Sequence, residues 1–472
     1  MSRILHFLKN HSGIAILLLL ATIAGLLVFS GSSVATSAAP ARRPTGYAQL
    51  VSVQSLPEMD GPLCQWTPAS ASSTLMAALQ QASADREALP SDDARNAAAK
   101  RKPVRIIRDP YATYSAVAVD PVHNEVVMTD ENLFSLLIYD RLENTPPKAA
   151  MSEPKRMIQG RKTEIELECS LYIDPTNGDI YAVSNDTLDK VVVFSRSARG
   201  NVAPDRTIET PHTIFGIAVD EKSQEMMLTI QDDASVVTYR KSAQESDAPI
   251  RTLQGDRTLL ADPHGIAIDP KKDVVFVSNW GTVNVHNAAD SGARVGGYGR
   301  GAGKENWPVG RNYTVPGSGK FLPPSITVYP RSAHGNTAPS QVIQGPKTQL
   351  NWPTALAIDS ERGELYVAND PSHSILVFKA DANGDVAPIR VLQGPKTLIK
   401  NPTGVYLDAK NDELWVANFG NHNATVYKRT ASGDTPPLRV IRSGPADAPA
   451  PMFGTPSGLA YDSKREELLV SN

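Results

Sequence analysis

The 472-residue chain predicts an all-β fold, a β-propeller with seven blades expected and six as the alternative. Three observations predict it. A four-part pattern of short β-branched and aromatic runs recurs from residue 103 onward. Its period is near fifty residues, and each run is bounded by turn residues.

Before the repeats come two other segments. Arg3 and Lys9 precede GIAILLLLATIAGLLVFSG (13–31), which carries no charge and is followed by SSVATSAAPA. A positive flank, an apolar run and small residues make the export pattern over residues 1–41. Cleavage after Ala41 and an uncleaved anchor both fit, because 13–31 is about long enough to span a bilayer. The bulk of the chain is therefore expected to be exported, periplasmic or extracellular, with membrane contact only through the N-terminal segment. Residues 42–102 are rich in Ala, Ser and Pro and read as a tether, with SSTLMAALQQA (72–82) as a short amphipathic helix.

Part A of the repeat is AVAVD (116–120), SLYID (170–174), GIAVD (216–220), GIAID (265–269), ALAID (355–359), GVYLD (404–408) and GLAYD (458–462). Part B follows, as in EVVMTD (125–130), DVVFVSN (273–279), ELYVAN (364–369) and ELWVAN (413–418). Part C is represented by SLLIYD (135–140) and SILVFK (374–379), and part D by PKRMIQ (154–159) and PIRVLQ (388–393). Each part is a strand. Part A is apolar nearly throughout, as the innermost strand of a blade should be. Part D carries Arg105, Arg156, Arg206, Arg251, Arg390 and Arg439, which read as charges protecting an outer edge. D parts end at 108, 159, 209, 254, 344, 393 and 442, and the long fourth step contains an insertion, 281–324.

The seven A and seven B parts are matched by only six C parts. The first D part (103–108) precedes any A, and the last A–B pair (458–472) has no C or D after it. Joining the two ends in one mixed blade removes open strand edges. That gives six complete blades plus a closing blade, whose C strand is AQLVSVQ (48–54), absent, or lost by truncation at 472.

GIAID…VVFVSN, PTALAID…ELYVAN…SILVFK and PTGVYLD…ELWVAN resemble NHL repeats of exported bacterial propellers. They are also similar to the wider gluconolactonase- and lactonase-type propeller group, over about residues 103–472. The resemblance implies fold more than activity, since such propellers host both binding modules and enzymes. It implies, for the enzymes, a divalent metal at the central channel held by a Glu, Asn and Asp set. No Glu here sits in a matching motif near the start of the first blade.

Composition excludes several classes. Net charge is −3, so no basic face points to nucleic acid. Two cysteines, Cys64 and Cys169, make neither a disulfide scaffold nor a Cys-rich metal site, though the two can pair in an oxidising compartment. There is no G-x-S-x-G elbow, and GYGRGAGKE fails as a P-loop because Glu305 replaces Ser/Thr and no strand-to-helix context exists. No cofactor is predicted; a divalent metal belongs to the lactonase-type alternative.

The Asp that ends each A part opens a turn and reads as turn chemistry. Asp130, Asn185, Gln231, Asn279, Asn369, Asn418 and Asn472 are expected to end the B parts and to close B–C turns. Ser115, Cys169, Phe215, His264, Thr354, Thr403 and Ser457 are expected to ring the channel mouth. Cys169, Phe215 and His264 break the Ser/Thr rule there, with Glu166, Glu168 and Asp262 nearby. Weak metal candidates are Asp262, His264, Asn279, Asn369 and Asn418, and Glu168, Cys169, Asp262 and His264 are a candidate mixed metal or acid/base site. The insertion carries Trp280, Arg294, Arg300, Trp307 and Arg311 at or near its start and along its length, a mixed aromatic and basic surface on a long loop. These residues, with His264, are the expected contacts for a protein, peptide or glycan ligand.

Overall fold

The computed structural model describes Asp93, Asn96, Lys100 and residues 110–185, 188–283, 320–446, 459–462 and 467–470. The chain divides into two compact units, Met1–Val104 and Arg105–Asn472. In the first, Asp93 and Asn96 are helical, and the Lys100 N–H donates to the Asn96 carbonyl. The expected leader, the 72–82 helix, the 48–54 strand and the 103–108 strand lie outside the described residues. Among the described residues no helix is long and apolar enough to cross a membrane.

Among the described residues the second unit holds six four-stranded antiparallel blades. Blade 1 is β1 (Tyr114–Asp120), β2 (Glu125–Asp130), β3 (Ser135–Asp140) and β4 (Arg156–Gln159). Blade 2 is β5 (Glu168–Ile173), β6 (Ile180–Ser184), β7 (Lys190–Phe194) and β8 (Arg206–Glu209). Blade 3 is β9 (Ile214–Asp220), β10 (Glu225–Ile230), β11 (Ser235–Arg240) and β12 (Arg251–Gln254). Blade 4 is β13 (Pro263–Asp269) and β14 (Val274–Asn279), then, after the hairpin β15 (Thr282–Val283) and β16 (Lys320–Phe321), β17 (Ser325–Pro330) and β18 (Gln341–Gln344). Blade 5 is β19 (Pro353–Asp359), β20 (Glu364–Asn369), β21 (Ser374–Lys379) and β22 (Arg390–Leu392). Blade 6 is β23 (Pro402–Asp408), β24 (Glu413–Asn418), β25 (Asn423–Lys428) and β26 (Arg439–Arg442). A last pair, β27 (Leu459–Asp462) and β28 (Glu467–Val470), forms a two-stranded sheet of its own.

The ring closes at six blades, not the expected seven. Six apolar cores lie between neighbouring blades, and one joins blade 6 to blade 1 directly. There Trp415, fully buried, packs with Tyr114, Met128 and Tyr139. A Cβ added to Gly404 would stand 2.8 Å from Ala116 Cα, so β23 and β1 touch backbone to backbone. The Thr145 N–H donates to the Val440 carbonyl (2.8 Å), the Ser152 N–H to the Arg442 carbonyl (2.8 Å), and Arg141 pairs with Glu413 (2.9 Å). A seventh blade has no gap to enter. The pattern of parts misled because pairing the chain ends is one way of sealing a ring; side-chain packing and a long β3–β4 loop seal this one without it.

Most repeated polar residues serve the frame. Asp120, Asp174, Asp220, Asp269, Asp359 and Asp408 each accept a backbone N–H two or three residues on, so they are turn residues. The outer-strand arginines are not solvent-facing edge charges. Arg156, Arg251 and Arg390 reach back across the blade and grip Glu125, Glu225 and Glu364 with both guanidinium nitrogens at 2.7–2.8 Å. Arg439 pairs with Glu413 (2.9 Å) and lies over the Trp415 ring.

Candidate functional site at the channel mouth

The six inner strands enclose a central channel of ≈ 260 Å³, lined by residues such as Ala116, Cys169, Phe215, Thr354, Thr403 and Tyr406. Its mouth is bounded by the starts of those strands and by the residue that follows the second strand of each blade. That residue is Glu131, Asn185, Gln231, Trp280, Asp370 and Phe419 in blades 1 to 6, and in each the N–H donates to the loop entering the inner strand. Asn185 and Gln231 therefore stand one residue beyond the strand end, not at it as the pattern of B parts suggested. Asp130, Asn279, Asn369 and Asn418 are the strand-end residues.

The strand-end amides are spent inside their own blades. Asn369 accepts the Asn351 N–H (2.6 Å) and donates to the Gln349 carbonyl and Ser374 Oγ, both at 3.1 Å. Asn418 accepts the Lys400 N–H (3.2 Å) and donates to Asn423 and Thr425. Asn279 accepts the Ala261 N–H (3.0 Å) and donates to Thr327 (3.1 Å). In blade 1 Asp130 does the same work with four hydrogen bonds, and burial pushes its carboxyl up to about 6. These groups tie the entering loop to the third strand rather than merely closing a B–C turn. Their donors do not converge on the channel, so the metal set implied by the lactonase-type resemblance does not fit them. Among the described residues no three His, Cys, Asp or Glu side chains are grouped to hold a metal ion.

At the mouth each blade is clasped to the next by side-chain donors to inner-strand carbonyls. Ser115 Oγ donates to the Glu168 carbonyl (2.8 Å), Thr354 to that of Pro402 (3.0 Å) and Thr403 to that of Ser115 (2.8 Å). Where the hydroxyl is missing, another side chain takes over. Asn185 donates to the Ile214 carbonyl (2.6 Å) in place of Cys169, Thr229 donates to the His264 carbonyl in place of Phe215, and Trp280 Nε1 donates to the Pro353 carbonyl (3.1 Å) beside His264. Cys169, Phe215 and His264 are thus released from the clasp.

The released positions carry a graded surface. Asn185 Nδ2 donates to Gln231 Oε1 (2.9 Å), and Gln231 Nε2 lies 2.8 Å from His264 Nε2 and 3.3 Å from Asp262 Oδ1. His264, fully buried, has its ring stacked on Trp280 (3.6 Å, 11°), which stacks on Trp352 (4.7 Å, 16°). Phe215 leans on the other side of His264 at 4.2 Å. Burial pushes the His264 imidazole down to about 3, so it is neutral, and pushes the Asp262 carboxyl up to about 6. Trp352 is 49% exposed and has φ 47. The same left-handed turn precedes the inner strand at Thr213, Asp262 and Asn401, and the short side chains of Asp262 and Asn401 tolerate it. An indole there carries a backbone cost of about 1 kcal/mol and displays an aromatic face at the rim.

The structure thus brings Asp262, His264 and Trp280 together and leaves Asn279, Asn369 and Asn418 in the frame. Glu168 and Cys169 lie two blades away from His264, so the four residues of the mixed site do not form one cluster. Arg294, Arg300, Trp307, Arg311 and Cys64 lie outside the described residues; Cys169 Sγ donates to the Leu167 carbonyl (3.6 Å). The insertion leaves and returns beside Trp280, through Thr282 paired with Phe321 and Val283 with Lys320. Sequence reasoning missed Trp352 and Glu131. Aligning NWP (351–353) with KNP (400–402) and ADP (261–263) would have shown Trp352 in a place of Asn and Asp.

No family model and no curated protein matches the chain. Among solved structures, Kuenenia stuttgartiensis hydrazine synthase is similar at 11% identity and a TM-score of 0.42, covering 78% of this chain and 98% of that one. A likeness this distant says nothing of activity.

Proposed function

We propose that the protein is an exported propeller that binds a protein, peptide or glycan at the channel mouth. One observation carries this: six equivalent positions after the second strands hold Glu, Asn, Gln, Trp, Asp and Phe, while the frame positions repeat. Repetition builds the ring, and departure from repetition at one rim is where recognition is placed. Trp280 and Trp352 give a stacked aromatic face, the kind of anchor that dominates interfaces. The insertion leaves and returns beside Trp280, and its sequence carries aromatic and basic residues. The NHL-type assignment and export rest on the repeat strings and the N-terminal pattern. Probing peptide and glycan arrays with residues 42–472 tests the reading. Trp352→Ala and deletion of 284–319 should each remove the captured ligands while the far-ultraviolet spectrum is kept. Unchanged capture by both variants would refute the assignment. The lactonase-type alternative predicts a stoichiometric divalent ion on elemental analysis and activity lost on chelation.

A further inference from the structure

Across the channel from the tryptophans, blades 1 and 2 present a different chemistry. Glu168 opens β5 and is fully buried. Its Oε1 accepts the Glu166 N–H (3.0 Å), while Oε2 has no hydrogen-bond partner among the described residues. Glu131, half-buried on the adjoining blade, is close enough for its charge to act on Glu168. The Ser115 hydroxyl and the Cys169 thiol lie beside the Glu131 carboxyl. Among the described residues neither Glu131 nor Glu168 has a cationic partner, although the frame's Glu125, Glu225, Glu364 and Glu413 all have arginines. Two neighbouring carboxyls, one with an oxygen left without a partner, are costly unless something completes them.

We propose that the Glu131–Glu168 pair is a recognition pocket for an ammonium group carried by the ligand. The inference rests on the mouth being a binding surface. An ammonium is compact and has three N–H donors and no acceptor, which complements acceptor-only carboxylates beside the Ser115 hydroxyl. Among the described residues no third His, Cys, Asp or Glu is grouped with the pair to hold a metal ion. Glu131 is partly exposed at the mouth with its carboxyl buried, and Cys169, next to Glu168, lines the channel. Beside its own two carboxyls, the charged and titratable groups around it are Asp130 from blade 1, and Glu166 and Cys169 from blade 2. Burial raises the Glu131 carboxyl to about 7 and the Glu168 carboxyl well above its ordinary range, so a cation competes with protons for the pair. A cation must displace them, and binding therefore tightens as pH rises and releases protons.

The probe is methylammonium, followed by saturation-transfer NMR on the full chain, with tetramethylammonium as a cation that cannot donate. Methylammonium should saturate below about 100 mM, bind at least about tenfold more tightly at pH 8 than at pH 6, and exceed tetramethylammonium. Glu168→Gln and, separately, Glu131→Gln should each weaken it by about tenfold or more, with the folded spectrum retained. D-glucosamine and Nα-acetyl-lysine amide then show whether the ammonium is tolerated on a sugar or on a peptide; binding by either supports the pocket. Absence of methylammonium saturation in the folded protein, or equal binding by wild type and both variants, would overturn the proposal. Neither result depends on the array ligand, so failure here leaves the tryptophan rim to its own test.

Discussion

His264 is the sharpest place to test whether the mouth is built as described. Its ring is fully buried beneath Trp280 and held neutral, with the imidazole pushed down to about 3. In the unfolded chain it titrates near 6.5. Between those values the unfolded state binds the proton and the folded state does not, so stability falls as pH falls through that window. From pH 8 to pH 5 this one group should remove about 2 kcal/mol. Asp262 beside it has the opposite sign, because its raised carboxyl takes up a proton in the folded state as pH falls below about 6. A direct comparison with His264→Gln cancels Asp262 and every other group. Urea unfolding at pH 8 and pH 5 should therefore show wild type losing about 2 kcal/mol more than His264→Gln. Trp280→Ala adds a second arm. It deletes two ring stacks, about 1–3 kcal/mol at pH 8, and opens His264 to water, so most of the histidine's pH-linked loss should vanish. If wild type and His264→Gln lose equal stability between the two pH values, the imidazole titrates freely in the folded protein, and the description of a sealed aromatic stack is wrong.

Two further outcomes follow from the frame. Gly265→Ala should cost about 3 kcal/mol or more by urea unfolding, because a Cβ there strikes the Thr354 carbonyl and stands 2.8 Å from Ala355 Cα, backbone that cannot yield. Gly363→Ala, with nothing within 4 Å and only a φ of 64 to oppose it, should cost about 1 kcal/mol; equal effects would refute the close-approach argument. Residues 110–446 alone should unfold cooperatively with the denaturant midpoint of the full chain, since blades 1 and 6 already share a core. A large fall in that midpoint would restore the chain-end blade.

Period and apolar patterning were legible because they report local physics. A run such as DVVFVSN must be a strand, and the Asp that follows each inner run must open its turn, whatever surrounds them. The outer arginines show where this stops. Their charge and edge position were visible, but their partners, Glu125, Glu225 and Glu364, lie two strands away and are joined only once the blade forms. The strand-end amides behave alike: Asn418 is a turn residue by sequence and a tie to the Lys400 loop by structure.

From sequence alone came the all-β class, the fifty-residue unit, its four strands, the insertion's place and the suspicion attached to His264 and Trp280. All are consequences of short-range pattern. Blade number, the Trp352–Trp280–His264 stack and the Glu131–Glu168 pair were decided by the tertiary structure. Ring closure depends on how six wedges pack around a channel, and the mouth joins residues from different blades, so neither is written in any single repeat.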